Sequence, residues 1–102
     1  MARKEYFREI NERTRLRVLV LTERGQVSRF VVQLESFHQN NWTPICRYDT
    51  SHGFAHLDIL HARGATDKIR IDAMNFKEAL DVAFADLLRN WERYIKAYLE
   101  GE

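Results

Sequence analysis

The fold is decided by residues 14–37, which read TRLRVLVLTERGQVSRFVVQLESF. Apolar and polar side chains alternate on both sides of Gly25, a residue that takes a positive φ in a tight turn at no steric cost. A period of two, with many β-branched residues, is typical of strands that bury one face. The stretch therefore predicts a hairpin of two strands, 14–23 and 27–37, with inward residues Leu16, Val18, Val20, Phe30, Val32 and Leu34.

Two more strands are predicted after this hairpin. Residues 42–49, WTPICRYD, form the third, and Pro44 has no N–H for a ladder bond, so it takes an edge or an outward-facing position. Residues 50–53, TSHG, supply a four-residue turn, and the fourth strand covers 54–62, FAHLDILHA. The segment 68–72, KIRID, is expected to be only a short extended connection.

A helix is predicted at each end of the chain. Residues 2–13, ARKEYFREINER, have apolar side chains at helical spacing and predict a short N-terminal helix. After Asn75 the apolar residues recur at intervals of three and four, which predicts a helix of about 25 residues packed on the sheet. Asn75 and Glu78 fit the spacing of a capping box. The predicted fold is a single α+β domain, residues 1–102: a four-stranded antiparallel meander with a short N-terminal and a long C-terminal helix on one face.

Composition narrows the classes of protein. The chain is 45% hydrophobic and 30% charged, which is typical of a globular domain. Cys46 is the only cysteine, so an internal disulfide and a cysteine-based zinc cluster are excluded, and a reducing cytoplasmic compartment is expected. No stretch has the length and apolarity of a signal sequence or membrane span. The first 29 residues contain eight basic and four acidic side chains, which indicates a basic surface.

The side chains best suited to catalysis or ligand binding are concentrated in residues 47–58, RYDTSHGFAHLD. If Asp49 faces Phe54 across the TSHG turn, Arg47 lies directly opposite His56. Alternation then directs one set of side chains toward the long helix, namely Trp42, Pro44, Cys46, Tyr48, Ala55, Leu57 and Ile59. We expect Arg47, His56, Asp49 and Asp58 to point outward together on the opposite face.

These groups fit metal-independent cleavage of RNA, in which the RNA's own 2′-hydroxyl attacks the phosphate. We expect His56 to act as general base or acid and Asp49 or Asp58 to orient it. Arg47 would stabilise charge at the phosphorus, and His52 would be a second proton carrier. The outward residues of the first hairpin, Arg15, Arg17 and Arg29, would bind phosphate.

The same string resembles the Arg-Tyr-Asp, His-Gly, His-x-Asp signature of a group of small uncharacterised bacterial proteins. More distantly, it is similar to the TumE-like toxins of toxin–antitoxin pairs, in which a Tyr-Asp-Asn segment precedes a histidine cluster. Tyr48 and Asp49 match the Tyr-Asp, and His52 and His56 match the histidines, whereas Thr50 replaces the asparagine. The resemblance implies an RNA-directed toxin with a cognate antitoxin as partner.

Three other interpretations stay open from sequence. The charged pairs fit a structural cross-strand network on a solvated face. The exposed sheet face or the long helix fits a non-enzymatic module that binds another protein or forms a homodimer. Finally, His52, His56 and Asp58 have the donor types of a two-histidine, one-carboxylate metal site, with His61 as a substitute ligand.

Overall fold

The computed structural model describes all 102 residues as one six-stranded antiparallel sheet and one helix. Each strand pairs with the next along the chain, so the sheet is a meander in the order β1 to β6. The elements are β1 (Ala2–Asn11), β2 (Thr14–Glu23), β3 (Gln26–His38), β4 (Asn41–Asp49), β5 (His56–Leu60), β6 (Thr66–Arg70) and α1 (Phe76–Glu100).

The predicted four-stranded sheet with an N-terminal helix is wrong at both edges. Residues Ala2–Asn11 form β1, paired with β2, where a helix was predicted. Short isolated helices are marginal in water, whereas β2 offers a full edge of backbone donors and acceptors. Residues 68–70 of the connection predicted at 68–72 likewise belong to β6, which pairs with β5 after a turn in which Gly64 has φ +95°.

The long C-terminal helix is confirmed. The Asn75 side chain accepts a hydrogen bond of 2.9 Å from the backbone N–H of Glu78, so it satisfies one of the free donors of the first turn. The helix buries Ala79, Leu80, Ala83 and Leu87 against β3 and β4. No helix of the structure contains a stretch that is both long and apolar enough to cross a membrane.

The hydrophobic core lies between α1 and one face of the sheet. That face presents the alternating residues of β2 and β3 that the first hairpin predicts, and it continues through β4 and β5. Its fully buried sheet residues include Leu16, Val18, Phe30, Val32, Leu34 and Cys46. We call this side the helix-covered face and the other side the helix-free face.

A β-bulge at Ile45 corrects the predicted position of three residues: Trp42 and Pro44, which were expected to face the helix, and Ile45, which was expected on the opposite face. Leu34 pairs with Cys46, but Glu35 pairs with Pro44, so β4 contains one extra residue at that point. Ile45 and Cys46 both enter the core, while Trp42 and Pro44 change to the helix-free face. The Trp42 ring there stacks on Phe37, with centroids 5.4 Å apart.

Candidate functional site

The register of β4 and β5 brings the predicted polar residues together, but not in the predicted pairs. His56 lies opposite Asp49, and Arg47 lies opposite Asp58, a shift of two residues from the predicted pairing. The connection is longer than TSHG because Phe54 and Ala55 belong to it. A shift of two preserves the alternation, so all four side chains still lie on the helix-free face.

Where β4 ends and β5 begins, that face carries a buried cluster of Asp49, His56 and Asp58. His56 Nε2 lies 2.8 Å from Asp49 Oδ1 and 3.6 Å from Asp58 Oδ2. The first distance is short enough for a hydrogen bond, but Asp49 Oδ1 lies well off the line of an N–H bond at Nε2. This nitrogen therefore has no hydrogen-bond partner. The other ring nitrogen, Nδ1, lies 3.4 Å from the carbonyl oxygen of Phe54.

Two cations contact the outer side of this cluster. Lys68 Nζ donates to Asp58 Oδ1 at 2.9 Å, and Arg47 Nε lies 3.6 Å from Asp49 Oδ2. Each carboxylate therefore has one oxygen toward the imidazole and the other toward a cation. The side chains of Arg47 and Lys68 are 35% and 45% exposed, so the cations form a rim above the buried carboxylates.

The imidazole of His56 is fully enclosed, with an exposed fraction of 0%, so the expectation that it points into solvent is wrong. The helix does not cover it. The rings of Phe54 and His52 pack beside it instead, with centroids 5.6 and 5.7 Å away. Arg70, paired with His56 across the strands, lies over Phe54 at 4.7 Å. His52 itself is exposed and is the imidazole of the site that solvent reaches.

The arginines predicted to bind phosphate lie on the helix-free face, but none of them forms an ion pair with Asp49 or Asp58. Arg15 donates to Glu35 at 2.7 Å, and its guanidinium lies 3.9 Å from the centroids of both the Phe7 and Trp42 rings. Arg17 is half exposed and lies 3.6 Å from Glu5. Arg29 is exposed and has no acidic partner within 4.0 Å.

Sequence reasoning missed four residues of this surface, Phe7, Trp42, Lys68 and Arg70. Phe7 was assigned to a helix, and Trp42 was assigned to the opposite face because the bulge was not anticipated. Lys68 and Arg70 lie in the segment predicted to be extended, and their alternation with Ile69 was the available signal. One cross-strand row of the sheet now carries Phe7, Arg17, Gln33, Arg47, Asp58 and Lys68.

A second polar network lies on the helix-covered face and has a structural role. Tyr48 and Tyr94 donate to Asp86 Oδ2 at 2.6 and 2.5 Å, and Asn90 donates to Asp86 Oδ1 at 2.7 Å. Burial opposes ionisation of Asp86, but the three hydrogen bonds outweigh it and lower the pKa of the carboxyl group. Burial, followed by donation to Asp86, raises the pKa of Tyr48. Tyr48 is thus the core residue that the sequence predicts.

Cys46 is buried in the core beside this network. Burial is the main cause of the raised pKa of its thiol, and the negative charge of Asp86 adds to it. A thiol held in its protonated form is a poor nucleophile and a poor metal ligand. The prediction of a small buried hydrophobic residue at this position is confirmed.

The chain belongs to a family described as "Domain of unknown function (DUF7718)", whose model matches residues 1–102. The curated proteins contain no match to the chain. The solved structures contain none either. The similarity to TumE-like toxins therefore stays a prediction from residues 47–58.

Proposed function

We propose that this member of the DUF7718 family binds single-stranded RNA on its helix-free face and cleaves it without a metal ion at the scissile phosphate. The observation that carries the proposal is the distribution of charge around the buried cluster. Asp49 and Asp58 are buried, while Arg47, Lys68 and Arg70 extend from them toward solvent. A polyanion that approaches this part of the sheet meets cationic groups first.

The aromatic groups of the same face support a single-stranded ligand. Phe7 is 54% exposed, and Arg15 lies between it and Trp42. Unpaired bases stack on aromatic rings and on guanidinium planes, whereas paired bases in an RNA helix present no free ring face. A cavity of about 300 Å³ beside this stack gives a base a place to bind, and it is lined by Glu5, Tyr6, Phe7, Arg15, Arg17 and Glu35.

His52 is the group that we assign to proton transfer. It is exposed and lies beside His56 and Phe54, the ring that Arg70 covers, so the imidazole of His52 is accessible to bound RNA. In the proposed step, His52 accepts the proton of a 2′-hydroxyl, and the 2′-oxygen forms a bond to the adjacent phosphorus. The bond from phosphorus to the 5′-oxygen breaks, and solvent protonates that oxygen, which yields a 2′,3′-cyclic phosphate and a 5′-hydroxyl. His56 does not contact RNA and acts as a positioning residue under His52.

RNA binding is tested by fluorescence anisotropy with an unstructured labelled RNA and its duplex form. We expect tighter binding of the single strand, with log K falling linearly against log salt concentration. Arg70→Ala should reduce the affinity several-fold, because Arg70 contributes to the rim. Arg63→Ala is the matched control, since Arg63 is equally exposed in the turn at the other end of β5 and β6. Equal losses in both variants, or no measurable binding at low salt, would contradict the proposed surface.

Cleavage is tested on the same RNA and on a copy with 2′-deoxyribose at every position. We expect cyclic phosphate products from RNA and no cleavage of the deoxy copy. His52→Ala should reduce the rate at least about 100-fold, which is the usual contribution of a general base. His38→Ala is the matched control, because His38 lies at the other end of the molecule, where it contacts Glu102. If both variants cleave RNA as fast as the wild-type chain, the assignment to His52 is wrong.

The similarity of residues 47–58 to TumE-like toxins supports a cellular role as the cytoplasmic toxin of a toxin–antitoxin pair. Induced expression of the wild-type chain in a bacterial host should arrest growth, and His52→Ala should relieve that arrest at the same protein level. Arrest by both forms would separate the toxicity from RNA cleavage.

A further inference from the structure

We propose that Asp49, His56 and Asp58 form a closed binding site for one divalent first-row metal ion of the zinc type. The metal site does not rest on the proposed RNA function: its three side chains are buried and do not contact RNA, although His56 also lies under His52. One donor atom from each residue lies within 4.8 Å of the others. Zinc accepts this combination of imidazole nitrogen and carboxylate oxygen.

The orientation of the His56 ring is the first argument for a metal ion. With a proton on Nδ1, this nitrogen donates to the carbonyl oxygen of Phe54, which is the arrangement that commonly fixes a metal-binding histidine. Nε2 then carries a lone pair and lies 2.8 Å from Asp49 Oδ1 and 3.6 Å from Asp58 Oδ2, two oxygens that also carry lone pairs. A metal ion bound among these three atoms would offset the repulsion between their lone pairs.

The missing hydrogen-bond partner of Nε2 is the second argument. It belongs to a side chain that is 0% exposed, and it has no hydrogen-bond partner. A proton on Nε2 would not satisfy the site well, because neither carboxylate oxygen lies where that N–H could donate to it. Ligand atoms that share an ion at about 2.1 Å lie roughly 3.0 to 3.4 Å apart. The distances of 2.8 and 3.6 Å from Nε2 to the two oxygens bracket that range.

The neighbouring cations do not compete for the same oxygens. Lys68 contacts Asp58 Oδ1, and Arg47 lies closest to Asp49 Oδ2, so the oxygens nearest Nε2 are the other two. Ligating carboxylates in proteins are typically held by such outer partners. The backbone N–H of Ser51 also donates to Asp49 Oδ1 at 3.0 Å, which ties this ligand to the turn that carries His52.

The test uses the intact chain after removal of metal with a chelator, without RNA. Addition of ZnCl₂ should give one bound equivalent by calorimetry and raise Tm by about 10 °C at 100-fold excess over Kd. MgCl₂ should have little effect, because an imidazole nitrogen is a poor magnesium ligand. The ring ¹⁵N shift of His56 Nε2 in the wild-type chain should change on zinc addition, and this measurement needs no variant.

Asp49→Asn tests the ligand set, because it preserves size and an acceptor for Ser51 but removes the charge. We expect at least a tenfold loss of zinc affinity. Asp67→Asn is the matched control: Asp67 lies 2.8 Å from His61, but this pair is exposed and is not part of such a three-residue cluster. The proposal fails if zinc changes neither Tm nor the His56 ring signal, or if Asp67→Asn loses as much affinity as Asp49→Asn. RNA binding, measured separately, is unaffected by either outcome.

Discussion

The helix-covered and helix-free faces of the same sheet both contain side chains that water does not reach, but they bury them by different means. Under the helix the buried residues are mainly apolar and pack against Ala83 and Leu87. On the other face, Asp49, His56 and Asp58 are buried by their neighbours in the sheet and by the turn before β5. The apolar face gains stability from burial itself, whereas the polar face gains it only while its charges are matched. The buried charges therefore contribute less to stability than apolar side chains of the same size would.

The largest effect on stability is expected where the helix meets the sheet. Leu87→Ala removes a fully buried side chain and leaves a cavity, so the free energy of unfolding should fall by about 2–5 kcal/mol. Leu99→Ala makes the same chemical change at a residue that is 41% exposed, and it should cost less than about 1 kcal/mol. Urea unfolding followed by circular dichroism measures both. Similar losses would mean that the helix is not anchored at Leu87.

Loss of an ion pair on the helix-free face should reduce stability less than loss of Leu87, and the size of the reduction should depend on how deeply the carboxylate is buried. Lys68→Met leaves the buried Asp58 without its contact of 2.9 Å, and we expect a loss of about 1–3 kcal/mol. Lys77→Met removes an ion pair of similar length on the exposed surface of the helix, where Asp81 remains hydrated. That loss should be below about 0.5 kcal/mol. If the two variants are equally stable in urea, burial of Asp58 does not set the strength of its ion pair.

These two faces also show how far the sequence alone reaches. The hairpin and the long helix are predicted because the apolar residues of each recur with one dominant period. Alternation along the strand also predicts that His56 and Asp58 lie on the same face of the sheet. Residues 2–11 do not alternate cleanly, because Tyr6 and Phe7 are adjacent aromatic residues, and the stretch also fits a helix. Only the presence of β2 beside these residues decides. The apolar pattern cannot reveal a register shift of two residues, because such a shift leaves every side chain on the same face of the sheet.

Burial of His56 lay beyond sequence reasoning for a different reason. It depends on a turn that extends to Ala55 and on Arg70 in a strand that was not anticipated. The bulge at Ile45 could not be predicted from the sequence either, because the residues WTPICRYD fit an alternating strand without a bulge. The candidate residues of the cluster were therefore identified, while their exposure and the stack of Phe7, Arg15 and Trp42 were not.

The Asp86 network predicts a pH effect on the helix-covered face. The pKa of Asp86 is lower in the folded chain than in the unfolded chain, so its contribution is fully present at neutral pH and is lost as the pH falls through the folded pKa, below 3.8. Asp86→Asn should reduce stability at pH 7 by about 1 kcal/mol through weaker hydrogen bonds from Tyr48 and Tyr94. The difference from wild type should narrow as the pH falls from 5 toward 2. Urea unfolding across this range checks the sign, and a difference that widens would contradict it.

Phe7 is the position on the helix-free face where we expect the smallest loss of stability and, at the same time, a clear loss of RNA affinity. Phe7→Leu removes an exposed ring that lies 3.9 Å from the Arg15 guanidinium, so stability should fall by less than about 1 kcal/mol. RNA affinity should nevertheless fall by about fivefold or more, because a stacked base contributes about 1–3 kcal/mol. Phe84→Leu is the matched control on the helix, where Phe84 packs against the core, and it should cost more stability and leave RNA affinity unchanged. Unchanged affinity in Phe7→Leu would exclude stacking on this ring while leaving the cationic rim as the binding surface.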